Sequence, residues 1–223
     1  EGWIIINKNK KKYPILILAI LIILYSFLKP FVLKNRTYTE IEKKITNDVL
    51  LSNVYILQAS SQEAMMNYSS GFGGVIFEKA NNKYYILTAS HAFSNNENVE
   101  LIVLKYNDQT LSEYLNSQNK YIGISEYYSQ FPIATVEYYD ESYDLAILSF
   151  ESETELNYLS LSKTNPKKNQ KIFTISSPIE EKRNNITYGR ILSKSPIAFG
   201  RGNEELKHNI IKHSAYINMG SSG

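Results

Sequence analysis

The sequence predicts an all-β body, a barrel or a sandwich, behind an N-terminal transmembrane helix. Three observations predict it. An uncharged run, YPILILAILIILYSFL, covers 13–28 just after a cluster of lysines. From Asn53 onward the chain breaks into short runs rich in β-branched and aromatic residues, which suit a pleated, half-buried surface. Polar, turn-forming loops separate these runs and no long helical period intervenes, which excludes an α/β sheet built on crossover helices.

The elements follow in chain order. Residues 1–12 form a basic segment with Lys8, Lys10, Lys11 and Lys12. The apolar run of sixteen residues that follows spans only about 24 Å as a helix, short of a hydrocarbon core of about 30 Å. With PFVL beyond Lys29, and the Lys29 side chain snorkelling, the stretch 13–33 is long enough. Pro30 falls where such a helix can end. A cleaved signal peptide has the same order of basic and apolar regions, but no A-x-A pattern follows Leu28, which favours an uncleaved anchor. The basic cluster favours an inside amino terminus and an outside body, although Lys29, Lys34 and Arg36 nearly balance it. A linker with a short helix occupies 34–52, where Thr39 and Glu42 make a capping-box pattern ahead of Ile41, Ile45 and Val49.

The strand runs are NVYILQA, GGVIFEK, KYYILTA, VELIVLKY, IATVEYY, LAILSF, QKIFTIS, ITYGRILS and NIIKHSAYI. Turn signals between them include KANNK, NNEN and KTNPKKN. The polar stretch 151–169 is the internal boundary.

Composition excludes several classes of function. There is no Cys, so neither a disulfide framework nor a Cys-based zinc site can form, and three His (His91, His208, His213) make a dedicated metal site an unfavourable reading. Residues 1–36 hold seven of the 24 basic residues and one of the 22 acids, leaving 17 basic against 21 acidic residues, or about −4, in the body. That balance excludes a nucleic-acid binder by charge. No cofactor is expected.

Three polar residues carry the functional reading. His91 ends the strand ILTASH among small neighbours, the placement a general base needs, although a strand-end His alone is more often a solvated or capping residue. Asp144 opens the apolar strand DLAIL, where a carboxylate can accept an imidazole N–H; alone it reads equally well as a turn acid, beside Asp140 and Glu141. Ser222 lies between Gly220 and Gly223, where the backbone can turn sharply and present a hydroxyl; alone, G-x-S-G reads as well as a flexible tail. The conjunction His, Asp, Ser, in that chain order on an all-β background, is one of the known convergent arrangements of one catalytic geometry.

At these residues the chain resembles the trypsin-like serine peptidases of the chymotrypsin fold, most closely the bacterial HtrA/Deg branch, over roughly 53–223. Gly71-Phe72-Gly73-Gly74-Val75-Ile76 is similar to the glycine-rich strand before the histidine hairpin, and Leu87-Thr88-Ala89-Ser90-His91 to the L-T-A-[AS]-H block. Asp144-Leu145-Ala146-Ile147-Leu148 resembles D-L-A-[IL]-[LI], and 171–178 the strand closing on G-[NYS]-P, with Ser177 in place of glycine. Residues 186–192 resemble V-T-x-G-x-I-[IS], and 210–223 the segment ending I-N-x-G-[ND]-S-G, with Ser221 replacing Asn or Asp and Met219 also unusual.

The resemblance implies a double six-stranded β-barrel, the first over about 53–150 and the second, incomplete, over about 160–223. It implies a cofactor-free serine endopeptidase with Ser222 as nucleophile, His91 as base and then acid, and Asp144 as the orienting carboxylate. The backbone N–H groups of Gly220 and Ser222 would form the oxyanion hole. Protein or peptide substrates are the implied partners, with the bilayer held through 13–33; the rival is an inactive trypsin-like module that binds peptides or a protein. The 53-residue interval from His91 to Asp144 implies an extended loop around 109–131. Tyr216 and Ile217 are expected near the base of the specificity pocket, and His208 and His213 have no implied role. The chain is expected to be a fragment whose closing strands follow Ser222.

Overall fold

A computed structural model describes residues 12–62, 65–68, 71–93, 99–118, 121–178, 183–199 and 206–223. Lys8, Lys10, Lys11 and the NNEN loop at 95–98 lie outside the described residues. The chain divides into two units, Glu1–Ile45 and Thr46–Gly223.

In the first unit, helix α1 (Lys12–Lys44) runs unbroken. It passes Pro30 and also Thr39, where a separate helix was expected to begin. A capping pattern starts a helix only where the preceding backbone is not already helical, and here it is. The described side chains at 17–18 and 20–29 are all exposed, apolar ones included. Among the described residues no helix is long and apolar enough to cross a membrane. A π-helical turn (Ile45–Val49) and a 3-10 turn (Leu50–Ser52) follow.

The second unit opens with seven strands: β1 (Asn53–Gln62), β2 (Met65–Tyr68), β3 (Phe72–Ala80), β4 (Lys83–Thr88), β5 (Val99–Lys105), β6 (Ile133–Asp140) and β7 (Leu145–Glu151). Every pairing is antiparallel. The order β1-β3-β4-β7-β6-β5 closes because β5 pairs back onto β1, making a six-strand barrel, while β2 adds to the outer end of β1. Closure removes the free edges that an open sheet would present. The tight β3–β4 hairpin is possible because Asn81 accepts φ 56°, a left-handed conformation that Asn tolerates better than most residues.

Period-two patterning sorts the side chains. On β4, Tyr84, Ile86 and Thr88 are buried while Lys83, Tyr85 and Leu87 are only partly so. The barrel interior is filled by Val54, Ile56, Phe72, Ile76, Ile86, Val103, Leu148 and Phe150. β5 is buried on both faces: Leu101 and Val103 point inward, whereas Ile102 and Leu104 join Leu57 and Ala59 in a second cluster outside.

What covers that outer face is the segment expected to be an extended loop. It contains α2 (Leu111–Gln118) and α3 (Ile124–Tyr128), and it lays Tyr127 and Tyr128 on the second cluster. A reciprocal capping box starts α2: Thr110 N–H donates to Glu113 Oε2 at 2.7 Å, and Glu113 N–H donates to Thr110 Oγ1 at 3.3 Å.

Beyond residue 152 the chain crosses to a three-stranded antiparallel sheet of order β10-β9-β8, from β8 (Lys171–Ser176), β9 (Asn185–Phe199) and β10 (Leu206–His213). Among the described residues these are the strands of the second half. The overall class is therefore all-β with one closed six-strand barrel, the first of the two expected; in the second half the described strands form a three-stranded sheet.

Candidate active site

Two neighbouring strands of the barrel bring the first two groups together. β4 and β7 pair with Thr88 opposite Ala146, so the chain leaving β4 and the chain entering β7 meet at one end of the barrel. His91 sits on a 3-10 turn (Ser90–Ala92) just past β4. Asp144 closes the turn before β7 with φ 54°, a left-handed conformation that costs a non-glycine residue about 1–2 kcal/mol.

The third group arrives from the second half. After β10 the loop 214–223 docks on the barrel: the Gly73 N–H donates to the Ser222 carbonyl oxygen at 2.9 Å. Two glycines make the approach possible. Gly220 adopts φ 82° and Gly223 φ 104°. A Cβ on Gly223 would lie 1.7 Å from the Gly73 carbonyl oxygen, so no side chain fits there.

The three side chains form a continuous hydrogen-bonded line. His91 Nδ1 lies 2.6 Å from Asp144 Oδ2, and His91 Nε2 lies 2.9 Å from Ser222 Oγ. An ionised carboxylate only accepts, so Nδ1 carries the proton; Nε2 is then an acceptor aimed at the Ser222 hydroxyl, which donates to it. Asp144 Oδ1 takes two more donors, the His91 backbone N–H at 2.9 Å and Ser90 Oγ at 3.1 Å. Burial alone pushes the Asp144 carboxyl up, but the donors from His91 and Ser90 together hold it below its ordinary value. The Asp144 side chain is 17% exposed and that of His91 38%, so the carboxylate is shielded while the imidazole stays within reach of a substrate.

The family model described as the trypsin-like peptidase domain matches residues 72–223, more than half of the chain and all of this geometry. The chain belongs to the trypsin-like peptidase domain family. No curated protein matches it.

The remaining expected residues of this trypsin-like peptidase domain sort clearly. Asp140, the other acid that could have faced the ring, accepts instead from the Ser142 hydroxyl and N–H and from the Tyr143 N–H. Ser221 is held within its own turn: its hydroxyl oxygen accepts the Asn218 N–H at 3.2 Å, and its N–H donates to the Asn218 carbonyl at 3.1 Å. Among the described residues no protein acceptor takes the N–H of Gly220 or Ser222. Tyr216, Ile217 and Met219 are exposed. His208 and His213 lie on β10, in register with Ile197 and Ile191. Among the described residues no group of three metal-ligating side chains gathers.

Sequence reading gave no role to Ser90 or Gly73. Ser90 counted only as a small neighbour of His91, and its hydroxyl was the available signal.

Proposed function

We propose that the protein is a serine endopeptidase of the HtrA/Deg branch working through Ser222, His91 and Asp144. The observation that supports this most is the single imidazole bridging a shielded carboxylate and a serine hydroxyl at hydrogen-bond distances. As Ser222 Oγ bonds to the scissile carbonyl carbon, its proton passes to His91 Nε2, and Asp144 steadies the imidazolium. The carbonyl oxygen becomes an oxyanion, and the unclaimed N–H groups of Gly220 and Ser222 are the donors for it. Collapse breaks the C–N bond, the His91 proton goes to the leaving amine, and an acyl-enzyme remains on Ser222. Water, deprotonated by His91, then releases the acid and restores the serine. No cofactor enters any step.

A fluorophosphonate probe tests this directly. It labels Ser222 and not Ser221 in the wild type, and labelling is lost in Ser222→Ala. Equal labelling of the two proteins overturns the assignment of Ser222, and no labelling of either favours the rival, an inactive module that binds peptides in the same groove. The departure that favours the rival is Ser221 in the oxyanion loop; its closed turn with Asn218 argues against a distorted loop.

We also propose that residues 13–33 anchor the protein in a bilayer as a single pass, with the peptidase domain extracytoplasmic. An apolar run exposed on every described side of α1 supports this, since such a surface is unfavourable in water. Protease added to intact cells then digests the body and spares 8–12, whereas a secreted product beginning near residue 31 identifies a signal peptide.

A further inference from the structure

We propose that Ser90 is a positioning residue of the triad, its hydroxyl pinning Asp144 Oδ1 so that Oδ2 stays aimed at the His91 ring. The inference rests on the peptidase reading above. Asp144 stands on a left-handed backbone at the end of a turn, just before β7, and its carboxylate is met by donors from Ser90 and His91. The orientation of its carboxylate must therefore be set by what donates to it.

Two of its three donors belong to His91 itself, the backbone N–H and the ring. These move with the residue they are supposed to orient. Ser90 Oγ, 3.1 Å from Oδ1, is the donor from a different residue, and it is partly buried with the carboxylate. The same oxygen lies 3.4 Å from the Asp140 carbonyl, so the hydroxyl sits between the two ends of the 140–144 turn. With one proton it serves the nearer, charged acceptor, because a hydrogen bond to a charged group is the stronger. A serine here thus ties the histidine turn to the aspartate turn at the point where β4 and β7 part.

Among the described residues the titratable group facing Asp144 from another element is His91. On its own turn, Asp140 directs its carboxylate to Ser142 and Tyr143. A change in Asp144 titration after loss of the Ser90 hydroxyl therefore reports that hydroxyl and not a rearranged charge nearby.

The test uses the full chain with 13Cγ-labelled aspartate, which gives four signals from Asp48, Asp108, Asp140 and Asp144. In Ser90→Ala the Asp144 midpoint rises by about one pH unit, and kcat falls about tenfold with KM unchanged. Ser90→Thr retains the wild-type values of both, while Ser90→Val, its near-isostere without the hydroxyl, behaves as Ser90→Ala; this pair decides the matter if Ser90→Ala does not fold. An Asp144 midpoint or a kcat that is the same in the Thr and Val variants overturns the proposal. If the wild type hydrolyses nothing and takes up no fluorophosphonate, the peptidase reading fails, and the Asp144 midpoint in the Thr and Val variants still decides whether Ser90 holds the carboxylate.

Discussion

The two halves of the peptidase domain hold their share of the site in different ways. In the barrel, His91 and Asp144 hang from adjacent strands that are hydrogen-bonded along their length, from Lys83 opposite Glu151 to Thr88 opposite Ala146. Their separation is set by a ladder and by a sealed core in which Ile56, Ile76, Ile86 and Leu148 are fully buried. The second half offers Ser222 on a loop beyond a three-stranded sheet whose large apolar residues Tyr188, Leu192, Ile210 and Ile211 are exposed. The serine is placed by contact with the barrel, through the Gly73 N–H and the side-chain-free face of Gly223. Base and carboxylate are thus matters of fold, whereas the nucleophile is a matter of docking.

The largest expected effect strikes both halves at once. Ser222→Ala and His91→Ala each lower kcat by up to roughly a million-fold, and the double variant is hardly worse than either, because the groups act as one unit. Steady-state hydrolysis of an unfolded protein measures this. Additive losses would mean that the two residues work separately, and the hydrogen-bonded line would then have no catalytic meaning.

Next comes a variant that separates docking from fold. Gly223→Ala cannot keep its backbone against Gly73, so the loop must shift, and a misplacement of about 1 Å costs about a hundred-fold in rate. The barrel does not depend on this contact for closure. Thermal unfolding of the barrel should stay near wild type while hydrolysis collapses; parallel losses of both would show that the loop is part of the barrel's own stability.

A pair of core variants measures the contrast in packing. Ile86→Ala, in the sealed interior, destabilises by about 2–5 kcal/mol, and the already exposed Ile210→Ala by no more than about 0.5 kcal/mol. Chemical denaturation of the two proteins checks the difference. Equal losses would place Ile210 under cover in solution.

The same contrast governs what could be read in advance. Each of the nine strand runs, from NVYILQA to NIIKHSAYI, overlaps an observed strand, because alternation and β-branched content report half-buried strands directly. β2 escaped, since MMNY is too short to show a period. α2 escaped because LSEYLNSQ is only eight residues long, although Leu111, Tyr114 and Leu115 fall at helical spacing; a second signal was the pair Thr110 and Glu113, three residues apart. The opposite error occurred at Thr39, where the pattern is present but lies inside α1, and only the state of the preceding backbone distinguishes the two. For the site, residue types at strand ends pointed to His91 and Asp144, whose meeting follows from strand pairing. The contact between Gly73 and Ser222 spans 149 positions and leaves no local trace other than the glycines themselves.

The smallest effect tests the helical cover on the barrel's outer face. Glu113 is the acceptor on which that cover is fastened: it takes the N–H and hydroxyl of Thr110, and Arg183 from the loop between β8 and β9 donates to it at 2.9 Å. Burial acts to raise its carboxyl, but Thr110 and Arg183 outweigh that and hold it below its ordinary value of 4.5. A depressed carboxyl contributes stability that is complete above the unfolded value and is lost as pH falls through the lower, folded one. On acidification below about 4, amide exchange in 111–128 should therefore rise, while that of the interior strands β3 and β4 holds, because no carboxylate is among the residues of their core. Glu113→Gln should remove the pH dependence and leave exchange in α2 and α3 modestly raised at neutral pH. The partly exposed pair with Arg183 limits the effect to a small one, and added salt should reduce it further. If 111–128 and the barrel strands open together at every pH, the cover is not a separate layer, and the second cluster beneath Tyr127 and Tyr128 must be counted with the barrel core.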